Sequence, residues 1–327
     1  METLKNKNIL VTGGAGFIGS HLVDELISEG VKTIIVVDNF FLGKMENLVE
    51  AKNNFKNLVI YNHDAGDYGF MSEKISEHKI DIVFNLATKA LPYSFTDPED
   101  AFMVNVEIVS SLLKILRQKG YKTLIHFSSS EVYGSEEEGA ISEIHNYGAK
   151  TPYAAGKAAA DLMIQSYLNL FDLDIAVVRP FNNYGPRQNE GAYAGVIPLT
   201  IKRIINGKPP VIEGTGDQSR DFIYVKDTVD WTIEIYKNRN SRGMVLNIAG
   251  GESIKIKDII GNICNIMGYS GEIENKPERK GDVFRHCADI SLAKRLINFK
   301  PSTRFCDGIK ETIKYYEKKC KSKNTID

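Results

Sequence analysis

The chain has 327 residues, 43% of them hydrophobic and 25% charged, so it can bury one large core or two modest ones. Its 41 lysines and arginines nearly balance its 42 aspartates and glutamates. This balance provides no overall basic field, and it argues against a nucleic acid or an anionic membrane surface as a partner.

Short β-rich apolar runs alternate with segments of helical period through the first half of the chain. The predicted strands are 8–12, 33–38, 58–61, 81–85, 123–129 and 174–180, and the predicted helices are 17–29, 67–78, 98–119 and 152–169. Strands that alternate with helices pair in parallel through right-handed crossovers. The predicted fold class is therefore α/β, with a doubly wound parallel sheet.

The later third of the chain differs in composition, because Gly, Pro and charged residues separate shorter predicted elements. We interpret 1–180 as a dinucleotide-binding domain, joined by a returning segment at roughly 225–250 that includes a helix near 227–237. Residues 181–327 then form mainly a smaller C-terminal lobe that binds the substrate.

Other signals in the sequence are absences. No apolar run approaches the length of a membrane span, and the amino terminus lacks the apolar core and cleavage site of a signal peptide. The cysteines are far apart, so reduced thiols in a cytoplasm are the simplest interpretation. The six histidines form no H-E-x-x-H or Cys/His cluster, so no metal site is predicted.

A glycine-rich turn lies between the first predicted strand and helix. Gly13, Gly16 and Gly19 have the spacing G-x-x-G-x-x-G, which lets the backbone approach a pyrophosphate at the amino terminus of a helix. The competing P-loop pattern fails, because Ser20 and His21 stand where Lys and Ser/Thr belong. The turn therefore predicts a dinucleotide site.

An acid follows the glycines by some 20 residues, at the end of the second strand. Asp38 can accept hydrogen bonds from both ribose hydroxyls and would repel a 2′-phosphate. NAD is therefore preferred over NADP as the cofactor. Lys44, nearby in the sequence, weakens that preference unless it is a solvated loop lysine, and NADP stays possible.

A tyrosine and a lysine lie four residues apart on a predicted helix. Tyr153 and Lys157 therefore share a face, one turn from each other. A nearby ammonium and a nicotinamide cation both favour phenolate over phenol. The pair could deprotonate an alcohol while its hydride leaves.

Six motifs occur in order along the chain: TGGAGFIG, SSSEVYG, PYAAGK, RPFNNYGPRQ, RDFIYV and RKGDV. From about residue 8 to 315 they resemble the extended short-chain dehydrogenase/reductase family, with its Rossmann fold, in the nucleotide-sugar dehydratase, epimerase and decarboxylase branch. The resemblance implies the cofactor residues Gly13, Gly16, Phe17, Ile18, Gly19, Asp38, Asn39, Lys44, Asp64, Ala65, Leu86, Ala87, Tyr153, Lys157 and Pro180.

The resemblance also implies the substrate and its ligands. It assigns a UDP-sugar to Asn182, Val196, Arg220, Arg279 and Asp282. The two arginines would neutralise the diphosphate, which a chain without net positive charge must do locally. Members of the family usually dimerise through two helices per subunit. Here residues 101–118 and 154–171 have the apolar faces for a homodimer, although core packing explains those faces equally well.

The SSSEVYG motif concerns the type of reaction. The resemblance assigns Ser129, with Ser130 beside it, to the sugar hydroxyl that is oxidised. Epimerases of the family need no base at C5 and commonly resemble SS-A-x-VYG. The dTDP-glucose 4,6-dehydratases instead carry T-D-E-VYG, where the Glu removes the C5 proton and the Asp helps to protonate the departing C6 hydroxyl. This chain keeps that acid as Glu131 and has Ser130 at the Asp position.

The stretches RPFNNYGPRQNEGAYAGVIP and NLATKALPYS resemble those of the N-acetylhexosamine dehydratases, and a serine in place of the aspartate suits the 5,6-type best. The resemblance therefore implies an NAD-dependent dehydratase of UDP-N-acetylglucosamine, with the 5,6-type favoured over the 4,6-type. UDP-glucuronate decarboxylases resemble S-T-S-E-VYG, so a decarboxylase remains open, as does a UDP-sugar 4-epimerase. A non-catalytic NAD-binding module is a distant alternative, since it would need neither Tyr153 with Lys157 nor the late arginines.

Overall fold

The computed structural model describes residues 1–135, 139–191, 193–278 and 284–323. Its strands are β1 (Asn8–Thr12), β2 (Thr33–Asp38), β3 (Leu58–Asn62), β4 (Ile82–Asn85), β5 (Thr123–Phe127), β6 (Asp174–Pro180), β7 (Asn182–Tyr184), β8 (Val211–Glu213), β9 (Ser219–Tyr224), β10 (Val245–Ile248), β11 (Ser253–Lys255), β12 (Glu274–Lys276) and β13 (Arg285–His286). Its helices are α1 (Phe17–Ser28), α2 (Val49–Asn54), α3 (Tyr68–Glu77), α4 (Pro98–Arg117), α5 (Pro152–Leu170), α6 (Val196–Ile205), α7 (Val225–Lys237), α8 (Ile256–Met267), α9 (Ser291–Ile297) and α10 (Phe305–Lys323).

A seven-stranded parallel sheet organises the molecule, in the order β10-β6-β5-β4-β1-β2-β3. The strand order reverses between β1 and β4, which opens a crevice at the carboxyl ends of the strands. The predicted doubly wound sheet is confirmed. Its seventh strand, β10, comes from the returning segment, and α7 of the same segment contacts α1 and β6.

The reversal point is held by buried polar contacts. The Thr12 hydroxyl donates to Asn85 Oδ1 at 2.6 Å, which ties β1 to β4. The same hydroxyl oxygen accepts the backbone N–H groups of Leu86 and Ala87, each at 3.2 Å. Asn85 Nδ2 lies 2.9 Å from Nδ1 of His126 on β5. These contacts fix how the chain leaves each of the three central strands.

Helix starts agree with the residue types that precede them. Asp67, Asp97 and Thr151 each accept a backbone N–H of the first turn with their side chains, at the starts of α3, α4 and α5. Such caps satisfy N–H groups that a helix leaves unpaired. Helices α4 and α5 pack closely, because a Cβ added at Gly156 would lie 2.5 Å from the Phe102 carbonyl oxygen.

One predicted strand is too long at its carboxyl end. The run 123–129 was expected to be extended, but β5 ends at Phe127 and a 3₁₀ turn covers Ser130–Tyr133. The physical reason is local: Ser129 Oγ accepts the Glu131 backbone N–H at 3.2 Å and so caps the turn. The hydroxyls of Ser128 and Ser129 therefore lie beyond the strand.

Six described strands, β7, β8, β9, β11, β12 and β13, lie outside the main sheet. Strands β11, β9 and β13 make a second sheet with β7 on β9, and β12 pairs with β8. Helices α6, α8 and α10 enclose a separate apolar core that includes Tyr184, Ile201, Ile263 and Tyr316. The division into two domains stays a prediction.

A membrane-spanning helix and a metal-binding cluster are both absent from the residues that the structure describes. No described helix combines the length and the apolar character needed to cross a membrane. No described group of three or more His, Cys, Asp or Glu residues is arranged to hold a metal ion.

Candidate active site

Two cavities lie side by side at the carboxyl edge of the main sheet. The first, of about 340 Å³, is lined by residues at or just after the ends of β1, β2, β4, β5 and β6. The second, of about 440 Å³, is lined by residues of α6, β8 and β9 among others. Asn183 lines both cavities. A dinucleotide and a second ligand could therefore lie next to each other.

The structure gathers the predicted cofactor residues in the first cavity. All of those named from the sequence line it: Gly13, Gly16, Phe17, Ile18, Gly19, Asp38, Asn39, Lys44, Asp64, Ala65, Leu86, Ala87, Tyr153, Lys157 and Pro180. Ser129 lines the same cavity.

The predicted substrate residues fall in the second cavity as far as they are described. Asn182, Val196 and Arg220 line it, while Arg279 and Asp282 lie outside the described residues. Arg220 Nη1 donates to the Ser219 carbonyl oxygen at 2.9 Å.

The glycine-rich turn has no room for side chains. Gly13 has φ +67°, and a Cβ there would lie 2.8 Å from the Ala87 nitrogen. A Cβ at Gly19 would lie 2.2 Å from the Gly13 carbonyl oxygen. The backbone can therefore turn tightly onto the start of α1, whose N–H groups and positive potential suit a diphosphate. The turn fits the pyrophosphate of a dinucleotide.

Asp38 is fixed beside the glycine-rich turn. Its side chain accepts the backbone N–H of Ala15 at 2.9 Å and that of Phe40 at 2.8 Å. Burial raises the pKa of the Asp38 carboxyl, and these backbone donors oppose the rise. The carboxylate is thus held at the end of β2, where a ribose would pass.

Lys157 is a buried cation at the centre of the site. Only 2% of it is exposed, and its ammonium donates to the Phe127 carbonyl oxygen at 2.8 Å. Burial lowers the pKa of Lys157 to about 8, and the charge of Asp161 opposes that shift. Asp161 lies one further turn along α5, so Tyr153, Lys157 and Asp161 share one helix face.

Asp161 is itself held by an ion pair with β6. Its carboxylate accepts from Arg179 at 2.9 Å and from the Ser128 hydroxyl at 2.8 Å. The sequence analysis did not single out Asp161 or Arg179. Asp161 follows Tyr153 by eight residues and Lys157 by four, and this spacing could have indicated that it shares their helix face. An acid on a helix is usually solvated, however.

Three side chains act on the phenol of Tyr153. Burial raises the pKa of Tyr153 to about 12; hydrogen bonding to Ser129 and Thr88 lowers it, and the negative charge of Glu131 raises it. The protein alone therefore keeps Tyr153 as a neutral phenol at neutral pH. A nearby positive charge, such as an oxidised nicotinamide, would favour its ionisation. Thr88 was not predicted, although it directly follows the predicted Leu86 and Ala87.

Ser130 and Glu131 occupy the 3₁₀ turn beside Ser129. Ser130 is 3% exposed and Glu131 is half-buried. Neither residue lines the first cavity, but the negative charge of Glu131 raises the pKa of the Tyr153 phenol. The catalytic roles given to Ser130 and Glu131 stay predictions.

An aromatic cluster closes one side of the first cavity. The ring centroids of Phe41 and Tyr93 lie 4.9 Å apart, and those of Tyr93 and Tyr193 lie 5.8 Å apart. Lys89 Nζ lies 3.8 Å from the Phe41 ring centroid and 3.3 Å from Asp100. The cluster joins the loop after β2 to the chain that follows β7, and none of its members was assigned a role from the sequence.

A parallel sheet with a glycine turn, a ribose-side acid and a Tyr/Lys pair on one helix define a dinucleotide-dependent short-chain dehydrogenase/reductase. The family profile described as GDP-mannose 4,6 dehydratase matches residues 10–312. The chain belongs to this family of extended nucleotide-sugar epimerases and dehydratases, which confirms the resemblance seen in the sequence.

Three similar proteins illustrate the range of the family. A Bacillus cytotoxicus UDP-N-acetyl-alpha-D-glucosaminuronate decarboxylase is 32% identical over 327 residues, covering 95% of this chain and 98% of the relative. The structure of a UDP-N-acetylglucosamine 4-epimerase from Methanobrevibacter ruminantium is 37% identical, with a TM-score of 0.89 and coverage of 96% and 99%. That of the dTDP-glucose 4,6-dehydratase DesIV from Streptomyces venezuelae, with NAD bound, is 27% identical, with a TM-score of 0.89 and coverage of 95% and 97%. NAD is the cofactor.

The buried ammonium of Lys157 predicts a specific pH dependence of stability. Because its pKa is lowered to about 8 in the folded protein, the unfolded chain binds more protons between that pH and about 10.4. The free energy of unfolding should therefore rise with pH across this window, by up to roughly 3 kcal/mol from this group. Urea unfolding of the wild type and of Lys157→Met, at pH values from 8 to 10, measures the difference.

The same substitution at the exposed Lys208 is the control and should leave the pH dependence as in the wild type. A Lys157→Met protein whose unfolding free energy changes with pH as the wild type does would contradict the assignment.

Proposed function

We propose that the protein is an NAD-dependent nucleotide-sugar dehydratase acting on UDP-N-acetylglucosamine, with 5,6-dehydration favoured over 4,6-dehydration. The observation that supports the proposal is the carboxylate of Glu131 in the turn that Ser129 caps. Its carboxylate acts electrostatically on the Tyr153 phenol and follows Ser129 by two residues. A phenol and a carboxylate beside one sugar ring suit a reaction that handles protons at two positions.

The first half of the reaction requires removal of the C4 hydroxyl proton. Tyr153 takes that proton, Ser129 orients the hydroxyl, and the Lys157 ammonium stabilises the resulting phenolate. NAD, when bound, would supply a reversible acceptor for the C4 hydride. Because the raised pKa of Tyr153 disfavours phenolate in the empty site, we expect deprotonation to depend on bound cofactor.

The second half uses the acidity that the C4 ketone confers on C5–H. Glu131 removes the C5 proton, and the protonated carboxyl then donates to the C6 oxygen as the C6–O bond breaks, so the net change is loss of water. The hydroxyl of Ser130, next to Glu131 in the chain, is the alternative proton donor to the C6 oxygen. Return of the hydride to C4 leaves a 5,6-alkene, and its return to C6 leaves a 4-keto-6-deoxy sugar.

A UDP-uronate decarboxylase is the second candidate, favoured by the Bacillus cytotoxicus relative of that name. Oxidation at C4 of a uronate makes a β-keto acid, which loses carbon dioxide without a base at C5. A 4-epimerase, the name of the Methanobrevibacter structure, likewise needs no base at C5. A non-catalytic binding module would not need the Lys157, Asp161 and Arg179 arrangement at all.

The role of Glu131 can be tested by its isosteric amide. Glu131→Gln should keep NAD and UDP binding but lose exchange of the C5 hydrogen with deuterated water, because the base is removed. Turnover should fall by roughly 100 to 10,000-fold. Proton NMR of the remaining substrate in deuterated water measures the exchange, since a 5,6-alkene product has no hydrogen at C5.

Glu131→Asp, which keeps a carboxylate on a shorter side chain, should retain part of that exchange. Unchanged C5 exchange in Glu131→Gln would remove the assigned role.

The reaction type can be read from a panel of three substrates. UDP-N-acetylglucosamine should lose 18 mass units without added reductant, since the hydride is returned within each turnover. Mass spectrometry and proton NMR distinguish this from loss of carbon dioxide from UDP-glucuronate, and dTDP-glucose serves as the nucleobase control. An unchanged product mass with inverted C4, or continuous formation of NADH, would contradict dehydration.

We also propose a homodimer through α4 and α5. The two helices pack against each other, and each leaves an apolar side chain exposed, Met103 by 43% and Leu162 by 51%. Burial of such groups against a second copy is favourable. Leu162→Glu should shift sedimentation towards monomer, while Ile144→Glu, on an exposed loop, should not; an unchanged distribution for Leu162→Glu would contradict this interface.

A further inference from the structure

Two lysines and two glutamates from three distant segments meet at the edge of the cofactor cavity. Lys44 Nζ, on the loop after β2, lies 3.6 Å from Glu190 Oε1 and 3.9 Å from Glu46 Oε1. Lys319 Nζ, on α10, lies 2.8 Å from the same Glu190 oxygen and 2.7 Å from Glu46. Two ammonium groups thus face two carboxylates, and the cluster has no net charge.

Lys44 belongs to the end of the cavity that holds Asp38. Both residues line the cavity, and the backbone N–H of Lys44 donates to the Ala15 carbonyl oxygen at 3.0 Å. Asp38 accepts the backbone N–H of the same Ala15. A lysine at this place would attract the 2′-phosphate of NADP if its charge were available.

Glu190 is the less exposed of the two carboxylates that compensate the charges of Lys44 and Lys319. The Glu190 side chain is 10% exposed and that of Glu46 is 49% exposed, so solvent screens the Glu190 carboxylate less. Burial alone would raise the pKa of Glu190, but Lys319 and Lys44 lower it overall. The carboxylate is therefore ionised at neutral pH.

The other cations that line the described part of this cavity are also engaged. Lys89 pairs with Asp100 at 3.3 Å and Arg187 with Asp24 at 2.7 Å. Lys157 donates to a backbone carbonyl. NADP carries two more negative charges than NAD, on its 2′-phosphate. Each of these cations already interacts with a carboxylate or a carbonyl that would compete with that phosphate.

We propose that Glu190 is a cofactor-selectivity residue, which excludes NADP by holding the Lys44 ammonium away from a 2′-phosphate. Glu190 comes from the chain after β7, whereas the acid that faces the ribose ends β2. Selection of the cofactor is therefore shared between the end of β2 and the segment after β7. This selection does not depend on which sugar the enzyme converts.

The rival explanation is that Asp38 alone repels the phosphate. The two differ in the behaviour of Glu190→Gln, which leaves Asp38 intact. If Glu190 determines cofactor selectivity, its replacement removes one negative charge and leaves the Lys44 ammonium available to the 2′-phosphate. The dissociation constant for NADP should then fall by about tenfold or more. The constant for NAD should stay within about threefold, since NAD has no phosphate at this position.

The test is competition between NAD and NADP for the intact purified protein, followed by calorimetry. The double variant Glu190→Gln/Lys44→Ala should lose the gain, because the ammonium that binds the phosphate is gone. Glu234→Gln, which removes a remote surface charge, should leave the ratio of the two constants unchanged.

A further variant keeps the proposal testable if Glu190→Gln fails to fold. Lys44→Ala alone should leave NADP affinity within about twofold of the wild type, because the ammonium is already neutralised. Weaker NADP binding in this variant, or an unchanged constant ratio in a folded Glu190→Gln, would overturn the proposal. Both readouts are binding constants, so failure of the proposed dehydration would not affect them.

Discussion

Burial of the Lys157 ammonium is the constraint on which the active site depends. A cation removed from water must be met by oxygen atoms, and here these are the Phe127 carbonyl at the end of β5 and the nearby charge of Asp161. The same arrangement fixes the rotation of α5 relative to the sheet. Tyr153, one turn earlier, is thereby directed towards Ser129 beyond the end of β5. The contacts that satisfy this one buried charge therefore also position the phenol of the candidate site.

Much of the fold could be predicted because its signals are local. Alternation of apolar runs and helical periods indicated six parallel strands, and the glycine spacing located the turn that now lines the first cavity. The seventh strand, β10, is separated from its partner β6 by β7, β8 and β9 along the chain, so its pairing depends on contacts between distant segments. The end of β5 at Phe127 could not be read from composition, since a serine side chain caps the following turn.

The residues of the candidate site that belong to sequence motifs were predicted. Those that reach the site only through tertiary contacts were missed. Asp161 looked like a surface acid on a helix, and only the approach of Arg179 from β6 makes it a buried partner. Lys44 was recognised as an ambiguous charge near the ribose. Its partner Glu190 could not be found from the sequence, because no periodicity links the loop after β2 to the chain after β7.

Asn183 lies at the boundary of both cavities, and the chain that follows it contributes Arg187 to the first and Gln188 to the second. One continuous stretch of backbone thus touches both binding places. A ligand in the second cavity that displaces this stretch would also act on a dinucleotide in the first cavity. Thermodynamic linkage then requires each ligand to change the binding free energy of the other by the same amount.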